Sequence, residues 1–309
     1  MNTLSAVNKY TFWLKNPILF SRYLLRIIAP FIKDDEQFIK YLWKLHMDYP
    51  LNLENPQTFS EKLQWLKLYY HNPEYTIMVD KNAVKKYVAN IIGSEYVIPT
   101  IGIWEKPEDI DWNKLPNQFV LKCTHDSGGL VICRDKSKLD KKSAVNKLRK
   151  CLNHDYYMSS REWPYKNVPR RIIAEKYIAP DSMTNDLPDY KFFCFNGEPE
   201  YCQVISGRGT KMCIDFFDLN WNHQSFHEPR NYPFAEFEPV KPMHFDLMLS
   251  AARKLASGKP FSRIDFYDIR DNVYFGEITF FPTSGIGGFN PQDKDKEFGD
   301  MIYLPAKWI

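Results

Sequence analysis

The sequence has no Cys-x-x-Cys pair among its six cysteines (Cys123, Cys133, Cys151, Cys194, Cys202, Cys213). That excludes a zinc ribbon and a dithiol redox motif. The thiols are expected to be reduced and mostly buried, in a cytosolic protein without a cleavable secretory leader. An excess of one charge is also missing. Lys and Arg number 41 against 38 Asp and Glu, a net +3, which is too little to argue for a nucleic-acid partner. No uninterrupted apolar run reaches membrane-spanning length. The nearest candidate, residues 12–32, is broken by Lys15, Pro17, Arg22, Arg26 and Pro30. It reads as an amphipathic helix pair packed on the main body or a partner. A peripheral position on the inner face of an anionic cytoplasmic membrane is the alternative. There is no internal repeat and no low-complexity segment.

What is present is a globular composition, 44% hydrophobic and 26% charged. Its length of 309 residues allows one large or two ordinary domains. Residues 1–60 read as helical with breaks at Pro17, Pro30 and Pro50. Helices are expected at 59–70, capped by Ser60, and at 80–92, capped by Asp80 and stopped by Gly93. Two more are expected at 139–157 and 244–257. Strands are expected at 96–104, around the Gly128-Gly129 loop, at 170–178, in a hairpin turning at Asn196-Gly197, and at 211–222. Mixed helices and antiparallel hairpins make the class α+β.

The stretch RIDFYDIRDNVYFGEIT (263–279) poses a specific problem. It reads as a hairpin of strands 261–269 and 273–281 with Arg270-Asp271-Asn272 as the turn. Centred on Asp271, it sets Asp265 opposite Glu277 and Arg263 opposite Thr279, all on one face. Two facing carboxylates repel. Either they belong to a solvated edge or a divalent cation such as Mg²⁺ lies between them.

Other residues carry weaker signals. Lys122 lies amid apolar strand residues, and Ser127-Gly128-Gly129 follows it as a loop whose amides could approach phosphate. No Gly-Lys-Ser/Thr follows, so this is not a Walker A loop; an ordinary glycine turn is the simpler reading. Glu175-Lys176-Tyr177-Ile178 ends a strand, which could offer backbone groups to a purine. Asp189 and Lys191 alternate on one face of the next strand. Each of these alone also fits a structural role.

In order, Lys81, FVLKCTHDSGG (119–129), EKYI (175–178), DYKFF (189–193) and RIDFY…GEIT with Pro282 resemble the ATP-grasp superfamily, and within it the TupA-like (teichuronopeptide biosynthesis) branch, over roughly residues 60–305. The resemblance implies an ATP-grasp fold, two α+β subdomains clamping a nucleotide. It divides the chain into an N-terminal helical extension (1–58), a preceding α/β region (59–118), a small lid subdomain (119–179) and a large subdomain with the metal-binding hairpin (180–309). It implies that Lys81, Lys122, Lys191, Ser127, Gly128 and Gly129 meet the phosphates of ATP. Glu175, Lys176, Tyr177 and Ile178 would form the adenine hinge, and Asp189 would meet the ribose. Asp265, Glu277 and Thr279 would hold Mg²⁺, and Arg263, Lys191 and Lys122 would stabilise charge in the reaction.

Two departures stand out. The superfamily's Glu-x-Asn is Glu277-Ile-Thr279 here, and its Pro-Gly is Pro282-Thr283. The implied activity is an ATP- and Mg²⁺-dependent carboxylate–amine ligase working through an acyl-phosphate, in capsular or other surface-polysaccharide assembly. It would join an amino acid or amine to a uronic acid or acidic peptide, on a small-molecule or lipid-linked glycan acceptor. A glycosyltransferase is the alternative, and the acid pairs weighed for its metal are DLPD (186–189) and DFFD (215–218). A non-catalytic nucleotide-binding assembly protein is the third. Residues 223–243 are expected to wall or cover the acceptor pocket.

Overall fold

The computed structural model describes residues 16–180, 187–208, 210–228 and 230–308. Residues 12–15 of the apolar N-terminal stretch and Asp186 of DLPD lie outside them. The chain opens with α1 (Pro17–Ile28) and α2 (Asp35–Lys44). Pro17 starts α1 where a break was expected, because the first helical turn has no acceptor for its N–H in any case. Next come α3 (Phe59–Tyr69), α4 (Glu74–Val79) and α5 (Ala83–Ile92). Thr58, not Ser60, caps α3: its hydroxyl accepts from Glu61 N at 3.2 Å, and the Glu61 carboxylate accepts from Thr58 N at 3.1 Å. Thr58-x-x-Glu61 is a capping box read two residues upstream of the expected start. Ser60 instead donates to Asp295 at 3.0 Å.

Two antiparallel sheets carry the rest. Strands β1 (Thr100–Trp104), β2 (Phe119–Cys123), β3 (Val131–Cys133) and β4 (Ile172–Lys176) form the first, in the order β1-β4-β2-β3. Leu121, Ile172 and Ala174 share a small core with Ala144 and Leu148 of α6 (Lys141–Leu152). The helix expected over 139–157 ends at Leu152, and Asp155 caps a separate α7 (Tyr156–Ser160). Strand β1 comes from the 59–118 stretch, so the sheet crosses the boundary expected at 118/119.

The second sheet holds β5 (Asp189–Phe195), β6 (Glu198–Ser206), β7 (Cys213–Asp218), β8 (His223–Gln224), β9 (Phe261–Ile269) and β10 (Asn272–Thr279), ordered β10-β9-β5-β6-β7-β8. Every residue of β5 is buried, because both faces of the sheet are covered. Phe192 meets Phe245 of α8 (Phe245–Ala256) at 5.6 Å between ring centroids, and Phe195 on the other face meets Phe298 of α9 (Asp293–Asp300) at 5.4 Å. Phe59 of α3 packs on that second face against Phe261 at 4.8 Å. This aromatic core fixes the sheet whose far end carries the acids.

Candidate functional site

The hairpin β9–β10 has the expected facing pairs but turns differently. Arg270 and Asp271 alone make the turn, with Arg270 at φ 53°, and Asn272 already belongs to β10. From the turn to Phe275↔Phe266 the register is one residue off the expected one. A bulge at Gly276 then restores it, giving Glu277↔Asp265 and Thr279↔Arg263. The bulge also changes which face is buried. In a regular strand Phe275 and Glu277 would share a face. Here Phe275 is buried in the core, and Glu277 lines a cleft. A Cβ on Gly276 would stand 3.1 Å from the Asp265 carbonyl oxygen, so the bulge suits glycine.

Strand β5 adds a cation to the row. Lys191 pairs with Asp265, which pairs with Glu277 across three adjacent strands. The Lys191 ammonium donates to Asp265 Oδ2. Arg263 Nη2 donates to Asp265 Oδ2 at 2.8 Å, Glu277 Oε1 at 3.1 Å and Thr279 Oγ1 at 3.2 Å. Three oxygens from two strands thus converge on one cationic nitrogen. Burial pushes the Asp265 carboxyl up, against the opposing pull of Arg263 and Lys191. Burial acts on Glu277 in the same sense, but Lys191, Arg263 and Lys81 outweigh it and hold that carboxyl down at about 2.

The cleft measures about 620 Å³ and opens between the two sheets. The larger sheet contributes Asp189, Lys191, Asp265, Tyr267 and Glu277; the smaller contributes Lys122, Ser127, Gly128, Gly129, Tyr177 and Ile178, and Lys81 stands just before α5. The Asp80 carboxylate caps the start of α5, accepting from Asn82 N at 2.8 Å. Lys81 N donates to Thr124 O at 3.2 Å, which ties this helix start to the end of β2. Burial lowers the Lys81 pKa. A side chain on Gly128 would meet nothing within 4 Å, whereas one on Gly129 would strike Cys151 Sγ at 2.7 Å. The loop therefore needs glycine at 129 for packing and keeps 128 open.

Some expected residues lie elsewhere. Glu175 is buried beneath the cleft, where its carboxylate binds Lys122 at 2.6 Å and Lys85 at 2.7 Å. Burial opposes its charge, and the two lysines overcome that and lower its pKa. Lys176 is exposed, does not line the cleft, and joins β1 by its backbone, donating to Pro99 O at 3.0 Å. Arg263 and Thr279 are tied to the acids by hydrogen bonds and are not among the residues that line the cleft. Asp189 lines the cleft with its carboxylate held by Arg208.

A family model described as TupA-like ATPgrasp matches residues 61–303. The chain belongs to the TupA-like ATP-grasp family. Comparison with curated proteins returned no match. Among solved structures, the TupA-like chain is similar to D-alanine–D-alanine ligase from Bacillus anthracis complexed with ATP, at 18% identity over 73% of this chain and 63% of that chain, TM-score 0.40. It is also similar to D-alanine–D-alanine ligase from Helicobacter pylori, at 13% identity over 80% and 69%, TM-score 0.43. The RimK domain protein ATP-grasp from Sphaerobacter thermophilus matches at 12% identity over 74% and 69%, TM-score 0.40. The chain spans 63% of the length of the first of these. Family membership rests on the family model.

The TupA-like chain also brings in residues that its sequence did not single out. Arg208 and Arg134 line the cleft, and Lys85 shares Glu175 with Lys122. Lys85 stands four residues after Lys81, a spacing that could have flagged it. Arg208 follows a strand at a distance only the tertiary fold closes. Thr283, where the family pattern has glycine, adopts φ 49°, and Ser284 follows at 58°. Both take left-handed backbone angles without being glycine, a local strain. Asp215 and Asp218 of DFFD are engaged elsewhere. His223 meets Asp215 at 2.9 Å, and Asp218 accepts from Asn222 N at 2.8 Å.

Proposed function

We propose that this protein is an ATP- and Mg²⁺-dependent ligase joining a carboxylate to an amine. The observation that carries the reading is the convergence of the Asp265, Glu277 and Thr279 oxygens on one cationic nitrogen, beside a lysine-lined cleft. Hard oxygen donors of this kind suit Mg²⁺, and the neighbouring lysines suit the phosphates that travel with it. Asp265, Glu277 and Thr279 would hold the metal. Lys81, Lys122 and Lys191 would neutralise the phosphates, with Ser127, Gly128 and Gly129 over them. Tyr177 and Ile178 would border the base, and Asp189 the ribose.

Mg-ATP, when bound, would supply the phosphoryl group that activates the acceptor carboxylate as an acyl-phosphate with release of ADP, and that group would leave as phosphate when the amine attacks. The chain's own part is electrostatic. Glu175 orients Lys122, and Arg263, paired with the two acids, would add its positive charge to the field felt by negative charge developing at the reacting carbon. No side-chain nucleophile is required. The TupA-like membership favours a substrate in surface-polysaccharide assembly, such as a uronic acid or acidic peptide, free or on a lipid-linked glycan. The apolar outer face of α1 supports working at the inner face of the cytoplasmic membrane.

Calorimetry of Mg-ATP against a panel of nucleotide sugars tests this. Micromolar Mg-ATP binding is expected, weakened about tenfold or more, roughly 1.4 kcal/mol, by both Glu277→Gln and Lys122→Ala. Carboxylate and amine together should then release phosphate. Tight binding of a nucleotide sugar without ATP binding would overturn the ligase in favour of a glycosyltransferase.

A further inference from the structure

We propose that a second cavity, between α1, α7 and the loop after β10, binds a polyanionic part of the acceptor. This rests on the ligase reading and adds the place where the acceptor's further negative charges bind. The cavity measures about 550 Å³, the size of a sugar-binding pocket. Arg22, Arg26 and Arg230 line it, with the hydroxyl residues Ser160, Thr283 and Ser284, and no acidic residue is part of its lining. Arg22 is fixed in place: Nε and Nη2 donate to Leu45 O at 3.0 and 2.7 Å, leaving Nη1 free to point elsewhere. Arg26 and Arg230 have no hydrogen bond or ion pair among the described residues.

Three guanidinium groups around one cavity repel each other unless an anion enters. Their planar forks suit carboxylate and phosphate oxygens alike. The place of the cavity ties it to the reaction. Thr283 and Ser284 follow the strand that carries Glu277 and Thr279, after Phe280, Phe281 and Pro282. Buried Glu162 accepts from Ser284 Oγ at 2.8 Å and from Ser160 Oγ at 3.0 Å, which locks the loop wall to the α7 wall. The left-handed backbone at Thr283 and Ser284 turns this wall at the end of the metal-bearing strand. An acceptor anchored by its other charges in the arginine cavity would present one carboxylate to the Asp265–Glu277 end of the cleft.

The test titrates the full chain with trigalacturonate and, separately, with inorganic pyrophosphate, each with and without a saturating non-hydrolysable Mg-ATP analogue. The comparison is the Arg26→Ala/Arg230→Ala double variant. Both side chains are exposed and unpaired, so the melting temperature should not change. Saturable binding of one or both probes is expected, at least tenfold weaker in the double variant, while the analogue binds both proteins alike. The probe that binds tells carboxylate from phosphate. Equal probe affinity in the two proteins, or no saturable binding of either probe, would overturn the cavity assignment. Loss of analogue binding in both proteins would overturn the ligase reading, and the arginine dependence of the probes would still decide the cavity.

Discussion

Asp295 shows how one buried acid can set a pH response. Only 1% exposed, it accepts from the Ser60 hydroxyl and amide and from Tyr49. Burial still pushes its carboxyl up to about 6, against those hydrogen bonds. The folded chain therefore holds a proton between about pH 4 and 6 that the unfolded chain has released. Where the folded state binds more protons, stability falls as pH rises. The contribution is full below pH 4, lost through pH 6 and constant above. Asp295→Asn should remove this slope, a difference of about 2 kcal/mol between pH 4 and 7. Denaturant melts of both proteins across that range would check it. Parallel curves would mean that the carboxyl ionises freely in the fold. The signal in the sequence, an acid four residues past Pro291, was invisible because its partners come from Tyr49 and Ser60, far along the chain.

At the scale of elements, the β9–β10 hairpin explains what sequence can and cannot disclose. Alternation and turn chemistry located both strands, and centring the hairpin on Asp271 led to the pairs Asp265–Glu277 and Arg263–Thr279. The turn was misplaced by one residue. The bulge that compensates leaves no periodic trace, only a glycine next to an acid. Likewise Lys191 was legible as a cation on a wet face, but its pairing with Asp265 depends on β5 lying beside β9, a long-range contact. The role of Glu175 as counter-ion to Lys122 and Lys85 was hidden for the same reason. Gly276→Val should force a branched Cβ against the Asp265 carbonyl. The expected cost is ~1–3 kcal/mol of stability, with Mg-ATP binding weakened at least tenfold as Glu277 leaves the row. A variant that melts lower yet binds normally would detach the bulge from the metal geometry.

At the scale of the molecule, α1 stands apart from the other helices among the described residues in what it exposes. Leu25 and Ala29 face inward, and Arg22 and Arg26 flank the second cavity. Leu19, Phe20, Tyr23, Leu24, Ile27 and Ile28 remain exposed, followed by Phe31 at 81% exposure. An outer face this apolar is uncommon on a helix facing water, and its arginine edge is suited to anionic headgroups. Among the described residues no helix is long and apolar enough to cross a membrane. The contact proposed from the exposed apolar face is interfacial, with the cavity beside the bilayer. Sedimentation with phosphatidylglycerol vesicles should carry the wild type down. Leu24→Glu/Ile27→Glu should weaken that at least tenfold while leaving the melting temperature and Mg-ATP binding intact, because both residues are exposed and far from the cleft. Binding that survives high salt would point to apolar insertion over charge attraction. A wild type that stays in the supernatant would remove the membrane from the proposal and leave the apolar face to another part of the chain or a protein partner.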